Sequence, residues 1–521
     1  MCSRRMPRRE FLNAAAGGLA GAGALAAAGV EAGGTGRAGA EAAGGVWARG
    51  AWRPEAPLLV AGKPLRVQPV LVYAVRERRE AASWKSWGGV QSEAAAEAEV
   101  ARIGEELRAL ERAAGFPLEI AAAAKVRSPE EAERSRASPR DVTIVYPASG
   151  SGDLLVGSVP ESGPSLIFVR HRSGPVYYWY EALSTRYLAP ARKPAGGERP
   201  LLGGASVLDV VVDEPRELLA RLRALRGALS LRGMRIVALG GPWGKYAPEA
   251  PARARDLFGL EIVDVSYAAF QPRLAASLAD PKKRARAEAR AAEYLAIPGT
   301  ELATPREFVV GAFVLHALFR ELLEEHGAQA FTIKECMSTI LPMSRTTACL
   351  ALSVLNDEGY LAFCESDFVA IPAGILLRVV SGRPAFLHNS TFPHRGVVTC
   401  AHCTAPRRMD GSRYEPAKIL THYESDFGAA PKVEIPPGQE VTFIDPEYAT
   451  GRWVGFRGRV VANPFYEICR SQQDVEILGD WKALLDEVRD SHWVMAYGDV
   501  LEEVGYAASK LGVRWEAIHG A

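Results

Sequence analysis

The stretches FTIKE (331–335) and YLAFCESD (360–367) decide the predicted fold, because each places acidic side chains directly after a short apolar run. The β-favouring residues of each run predict a brief buried strand, and a helical pattern follows each strand. Glu335, Glu365 and Asp367 should then lie at strand C-termini. In open α/β sheets ligands bind at that edge, where a buried carboxylate needs a metal, a shared proton or several hydrogen bonds. Salt-bridge partners or helix caps are the alternative interpretation of these acids.

The segments around these acids predict a strand, helix, strand, helix unit. Ser344 is predicted to cap a helix that stops at the turn signal Asn356-Asp-Glu-Gly. A second helix is predicted after Asp367, because Pro372 falls in its first turn and the run Ser-Gly-Arg-Pro (381–384) closes it. This unit would place Glu335 and Asp367 at neighbouring sheet ends.

Three features together resemble the L-fucose isomerase family. They are the run CESD (364–367), the helix that ends in Ser-Gly-Arg-Pro, and the later run CAHCTAP (400–406). The resemblance covers roughly residues 205–515. It implies a Mn²⁺ site, or a site for another divalent metal, whose ligands would be Glu335, Asp367 and His492. Glu335 and Asp367 would also be the catalytic carboxylates of a sugar isomerase.

The residues alone do not choose between Glu365 and Asp367. On a continuing strand, side chains two positions apart point to the same face, so Glu365 is the natural rival of Asp367 as a ligand. Only the family pattern ranks Asp367 first. Two carboxylates, one imidazole and open positions suit Mn²⁺ or a similar ion, whereas a lone histidine beside Trp493 would ordinarily be a hydrogen-bonded core residue.

Alternation of strand and helix patterns predicts an α/β fold with two parallel-sheet α/β domains and a β-rich C-terminal domain, a small barrel or sandwich. The first α/β domain is assigned to residues 56–190, and the Pro/Gly-rich run 190–204 marks its end. The second α/β domain, with the acidic site, is assigned to 191–384. The β-rich domain, assigned to 385–521, would supply His492.

The N-terminus predicts export. Residues 1–29 have a basic start, a weakly apolar Ala/Gly run and small residues suited to cleavage, and Arg-Arg-Glu-Phe-Leu (8–12) resembles the twin-arginine motif. A flexible linker, 30–55, would follow. A disordered tail with accidental arginines is the alternative. The protein would then be exported already folded, to a periplasmic or other extracytoplasmic location.

Composition gives no indication of nucleic-acid binding, a membrane span or a disulfide framework. The 521 residues are 48% hydrophobic and 24% charged, and their net charge is only +1, so non-specific nucleic-acid binding is not indicated. No later stretch is long enough for a membrane span, which needs roughly 18 apolar residues. Seven cysteines are too few for a disulfide framework in a chain of this length.

Three further motifs give weaker support for a function. The glycine-rich run 240–246 is one residue short of a P-loop and has Tyr where Ser or Thr must reach the metal. Cys400 and Cys403 form a CxxC without a second copy, so a buried incidental pair is favoured over zinc, and the redox state of the pair stays open. His388, His394 and His422 are assigned to polar loops as surface or substrate-facing residues.

Together these features predict an exported, metal-dependent aldose-ketose isomerase-like enzyme that acts on a free monosaccharide through an enediolate. One of the two carboxylates would remove the proton next to the carbonyl group. The assemblies of the family imply a homo-oligomer, a trimer or hexamer. The alternative is an exported sugar-binding protein without turnover, because two α/β lobes around a cleft also describe solute receptors.

Overall fold

A computed structural model of the chain describes residues 45–86, 88–160, 163–170, 188, 205–448, 450–487 and 491–519. The predicted signal peptide, the linker up to residue 44 and the predicted boundary run 190–204 lie outside the described residues. All features below belong to one compact unit, Val46–Ala521. None of the described helices is long and apolar enough to cross a membrane.

The first sheet is parallel, and it contains β1 (Leu65–Val72), β2 (Leu118–Ile120), β3 (Ala124–Val126), β4 (Val142–Pro147), β5 (Ser165–Val169) and β6 (Val210–Val212). Its described helices are α1 (Glu93–Ala113), α2 (Pro129–Arg136) and α3 (Gly152–Ser158). The strand order is β2-β1-β4-β5-β6, with β3 also paired to β1. Helix α1 packs on one face of the sheet, and α2 and α3 pack on the other, so both faces are buried as a parallel sheet requires.

The second sheet is also parallel and has the order β11-β10-β7-β8. Its strands are β7 (Arg235–Leu239), β8 (Glu261–Val265), β10 (Ala330–Ile333) and β11 (Leu361–Phe363). The helices of this region are α4 (Pro215–Leu231), α5 (Ala250–Phe258), α6 (Tyr267–Ala279), α7 (Pro281–Leu295), α8 (Arg306–Glu325), α9 (Leu341–Ser344), α10 (Cys349–Glu358) and α11 (Ile371–Ser381). Because β10 and β11 are neighbours, the prediction that the acidic segments follow neighbouring strands is confirmed.

The C-terminal part is a closed antiparallel barrel. Its strands, in spatial order, are β16 (Glu440–Pro446), β19 (His492–Tyr497), β12 (Phe386–Ser390), β13 (Val397–His402), β18 (Ser471–Ile477) and β17 (Trp453–Ala462). The barrel closes because β16 pairs with both β17 and β19. The predicted α/β fold with a β-rich C-terminal part is therefore confirmed.

Shorter elements complete the chain. A small sheet joins β9 (Thr300–Leu302), β14 (Ala417–Leu420) and β15 (Ala430–Val433). Strand β20 (Trp515–Ile518) extends the barrel beside β17, and helices α12 (Trp481–Glu487) and α13 (Leu501–Lys510) lie in the same C-terminal part.

One helix start differs from the prediction. The helix between the acidic segments begins at Cys349, whereas Ser344 ends the short helix α9. The Ser344 hydroxyl lies within hydrogen-bond distance of Ile340 O and Thr346 O, and such local hydrogen bonds compete with capping. A π-helical turn, Cys336–Ile340, precedes α9.

Helix α11 joins the second sheet to the barrel at Gly374. A Cβ atom added there would lie 2.5 Å from Cε1 of Phe363 in β11 and 3.4 Å from Cγ1 of Val494 in β19. Both neighbours are buried, so neither has free volume to move into. The missing side chain of Gly374 therefore sets how closely β11 and β19 approach each other.

We expect Gly374→Ala to destabilise the protein by about 1–3 kcal/mol through overpacking. Gly104→Ala in α1 is the matched control, because an added Cβ there meets only the flexible end of Arg108 at 3.3 Å. The control should gain up to about 1 kcal/mol of helix propensity. Urea unfolding measures both, and equal stability of the two variants would contradict the close packing at Gly374.

Candidate metal centre

Three side chains converge where the second sheet meets the barrel. Glu365 follows β11, His402 ends β13 and His492 begins β19, and one ligand atom of each lies within 4.8 Å of the others. The barrel register places both histidines at one end of the barrel, because Asn389 of β12 pairs with His492 on one side and with Ala401, the neighbour of His402, on the other. The two imidazole rings are 6.1 Å apart, centroid to centroid.

The carboxylate of Glu365 lies between the two rings. Its Oε2 atom is 3.4 Å from His492 Nε2, and its Oε1 atom is 3.6 Å from His402 Nε2. Both histidines are buried, whereas the Glu365 side chain keeps 39% exposure. The donor set of one carboxylate and two imidazoles thus has a side open to a ligand.

Each imidazole is oriented by a partner on its other nitrogen. His492 Nδ1 donates to Asp367 Oδ2 at 2.7 Å, and His402 Nδ1 is 3.2 Å from Thr404 Oγ1. His402 Nε2 is buried and has no hydrogen-bond partner among the described residues. Metal-binding histidines characteristically hold an oxygen on one nitrogen and present the other to the ion, so these residues fit a divalent metal.

The backbone between the acids explains why they separate. Strand β11 ends at Phe363, and Glu365 and Ser366 then adopt left-handed conformations with φ of 63° and 52°. The expectation that Glu365 and Asp367 share one strand face is therefore wrong. Two successive left-handed residues other than glycine store backbone strain, which is a feature of functional sites.

Asp367 is wholly buried and fully engaged. Its Oδ1 atom accepts hydrogen bonds from the backbone N–H groups of Lys245 (3.0 Å) and Val369 (3.2 Å), in addition to the bond from His492 to Oδ2. Backbone bonds between Trp243 and the residues that flank Asp367 hold the glycine-rich loop beside it. Asp367 is thus built as the partner that fixes His492.

Lys245 completes the surroundings of the triad. Its Nζ atom lies 3.5 Å from Glu365 Oε2 and 3.5 Å from His492 Nε2. The run 240–246 does not match a P-loop, but its Lys245 places a positive charge beside the triad. Sequence reasoning missed this role, because the contact joins residues far apart in the chain.

Electrostatics sets the charge of Glu365 and of His492. Burial favours the neutral form of Glu365, but His402 and His492 outweigh it and hold the pKa of Glu365 well below its usual range. Burial also disfavours the imidazolium of His492, but Asp367 and Glu365 outweigh it and raise the pKa of His492 to about 9. A metal on His492 Nε2 would have to displace that proton.

The sequence-predicted ligands fall into two groups. The structure brings His492 and Asp367 together, as predicted, but only His492 belongs to the triad. Glu335 is 57% exposed, pairs with Lys334 at 3.6 Å and lies outside the triad. Metal ligation by Glu335 and Asp367 stays a prediction. His402 was missed, although it lies within the CAHC motif, because that motif was weighed only for its cysteine spacing.

The other histidines and cysteines are placed as follows. His388 lies buried within β12, so its assignment to a polar loop is wrong. His422 lies in a loop, as expected, but is buried there, and His394 is exposed, as expected. Cys400 and Cys403 are free and buried, which agrees with the favoured interpretation. Cys403 packs with Cys349 and Ala430, away from a pairing with Cys400.

Comparison with known proteins adds no family. No protein-family model matches the chain, and no curated protein matches it. The candidate site therefore rests on its geometry.

We expect Glu365→Gln and His402→Gln to lose the bound divalent metal and the rise in unfolding temperature that metal provides. Asp367→Asn should weaken metal binding by about 10- to 100-fold, because it disturbs the partner of His492. Glu335→Gln should retain the metal. Elemental analysis and thermal unfolding with and without a chelator measure these effects.

The opposite ranking would favour the ligand set implied by the family resemblance. Loss of metal in Glu335→Gln and Asp367→Asn, with retention in His402→Gln, would exclude the triad as the metal site. Retention of metal in all four variants would exclude both sets.

We expect Lys245→Met to bind a divalent cation several-fold more tightly than the unmodified protein. The ammonium group 3.5 Å from two ligand atoms repels a second cation, and the substitution removes that charge while keeping a long side chain. Lys334→Met is the control, since its partner is Glu335 outside the triad. Competition with a fluorescent chelator measures both, and weaker binding by Lys245→Met would contradict this role.

Proposed function

We propose that this protein is a divalent-metal-dependent enzyme of the aldose-ketose isomerase type, acting on a free monosaccharide. The observation that carries the proposal is the convergence of Glu365, His402 and His492 at the carboxyl edge of a parallel sheet, each imidazole held by an oriented oxygen. Ligand sites in α/β proteins lie at this edge. A binding protein needs hydrogen bonds and aromatic stacking but no open metal centre.

The proposed metal is Mn²⁺ or another divalent ion. Glu365, His402 and His492 would hold it, and when bound it would act as a Lewis acid toward adjacent sugar oxygens. One carboxylate and two imidazoles also suit zinc and ferrous iron, so the donor set leaves the choice of ion to measurement.

The roles of the surrounding residues follow from their exposure and contacts. Asp367 is buried and its oxygens are occupied, so we assign it to orienting His492. Glu335 is exposed at the neighbouring strand end and is the carboxylate assigned to take the proton from the carbon next to the carbonyl group. Lys245 would donate a hydrogen bond to the carbonyl oxygen as negative charge develops there.

The net reaction is a proton shift within the sugar. The base removes the proton from the carbon next to the carbonyl group, and the carbonyl oxygen gains a proton, which gives an enediol. Return of the proton to the former carbonyl carbon, with loss of the hydroxyl proton from its neighbour, completes the exchange. Export by the twin-arginine route and assembly as a trimer or hexamer belong to the same proposal.

Deuterium exchange tests this function. Purified protein loaded with Mn²⁺ should exchange the C2 proton of an aldose with deuterated water, and Glu365→Gln should abolish the exchange. Gly104→Ala serves as a control that should keep it, because a Cβ atom added there meets only the side chain of Arg108. A panel of pentoses, hexoses and 6-deoxyhexoses without any exchange would contradict the enzyme, and tight sugar binding by metal-free protein would identify a sugar-binding protein instead.

A further inference from the structure

A second cavity, which we call the arginine cavity, lies at the far end of helix α11. Its volume is about 690 Å³, and its lining includes Arg223 and Arg226 of α4, Arg378 of α11, and Arg383 just beyond that helix. Residues 58–61 and the loop after β19 form other walls. A cavity of this size is within the range that holds small organic ligands.

Two of these guanidinium groups are deeply buried. Arg226 is 3% exposed and donates from Nε to Lys63 O and from Nη2 to Ala61 O. Arg378 is 4% exposed and donates from Nη2 to Leu59 O and Gly359 O. Among the described residues, every hydrogen-bond acceptor of these two side chains is an uncharged backbone carbonyl.

No carboxylate of the described residues compensates the two buried charges. Within the described parts of the chain, neither Arg226 nor Arg378 has an acidic group within the 4.0 Å of an ion pair, and Arg378 Nε is buried without a hydrogen-bond partner. Burial lowers the pKa of Arg226 to about 10, and burial together with the charge of Arg226 lowers the pKa of Arg378 to about 10. Uncompensated buried charge of one sign is costly.

The remaining charges of the lining do not neutralise this pair. Arg223 is 3.8 Å from Glu503, and Arg383 donates to Tyr497 O. The acids of the lining are engaged by arginines of their own, Asp410 by Arg413 and Asp499 by Arg457. The cavity therefore keeps an excess of positive charge.

We propose that the arginine cavity binds the phosphate group of a small molecule, with Arg226 and Arg378 as its buried anchors. A phosphate offers several oxygens to guanidinium donors, and its negative charge would compensate the positive charges of the two arginines. The ring of Phe116 lies 5.5 Å from the Arg226 guanidinium carbon and 5.8 Å from that of Arg223, which holds both groups at the wall of the cavity. This inference goes beyond the metal-dependent activity and does not depend on it.

Calorimetry in the presence of a chelator tests the cavity separately from the metal centre. The probes are sodium phosphate, glucose 6-phosphate and glucose, at constant ionic strength adjusted with chloride. Glucose 6-phosphate or inorganic phosphate should bind, and glucose should not. Equal binding of both phosphates identifies free phosphate as sufficient, and tighter binding of glucose 6-phosphate identifies a phosphate ester.

Substitution of the anchors decides whether binding is in this cavity. Arg378→Met should fold, because the side chain keeps its aliphatic volume and loses a repelled charge, and its phosphate affinity should fall about 10- to 100-fold. Arg383→Gln, at the less buried rim, should lose affinity without a loss of stability. Arg290→Met is the control. Arg290 is also buried, at 5% exposure, and donates to Val46 O, but it lies on α7 and does not line the arginine cavity.

Two results would overturn the proposal. One is the absence of phosphate binding above the chloride background in the unmodified protein. The other is unchanged phosphate affinity in both Arg378→Met and Arg383→Gln. Failure of sugar exchange at the metal centre would leave these binding measurements unaffected, because they are made without metal.

Discussion

The burial of Asp367 is the constraint on which the arrangement of the second sheet and the barrel depends. A carboxylate with no exposed surface is tolerated only when its oxygens accept hydrogen bonds or face a cation. Asp367 obtains these from three parts of the chain: the loop that carries Lys245, the turn that leads into α11, and His492 at the start of β19. Removal of the His492 imidazole would leave the buried carboxylate without its charged partner, at a cost of about 3–5 kcal/mol.

This constraint also explains the geometry of the triad. Because Asp367 fixes the Nδ1 side of His492, the Nε2 atom must face the left-handed turn that carries Glu365. Closure of the barrel then brings His402 to the same place, since β13 and β19 flank β12. The site is therefore assembled from one turn beside the sheet and two strand ends of the barrel, which are rigid elements rather than long loops.

Much of the fold could be predicted from local patterns. The strand, helix, strand, helix order of the acidic segments and the end of α11 at Ser381 were predicted, because apolar runs and Gly/Pro punctuation are local signals. His492 and Asp367 could be paired only through the family resemblance.

The orientation of Glu365 and the arrival of His402 could not be predicted. A left-handed turn at Glu365 and Ser366 has no sequence signal, because glycine or asparagine would ordinarily mark it. A strand that continued past Phe363 would have put Glu365 and Asp367 on one face, which was the expectation. The position of His402 depends on barrel register, a contact between segments distant in sequence, which no local pattern reports.

The candidate metal centre and the arginine cavity share their supporting elements but differ in how charge is balanced. Helix α11 begins just after Asp367 and leads to Arg383, and β19 begins at His492 and ends at Tyr497, whose carbonyl accepts from Arg383. At the first end, carboxylates and imidazoles compensate one another. At the second end, the buried guanidinium groups have only carbonyl dipoles, which satisfy hydrogen bonds without cancelling charge. The charges at the first end therefore stabilise the fold, whereas the excess positive charge at the second end is one that a bound anion would neutralise.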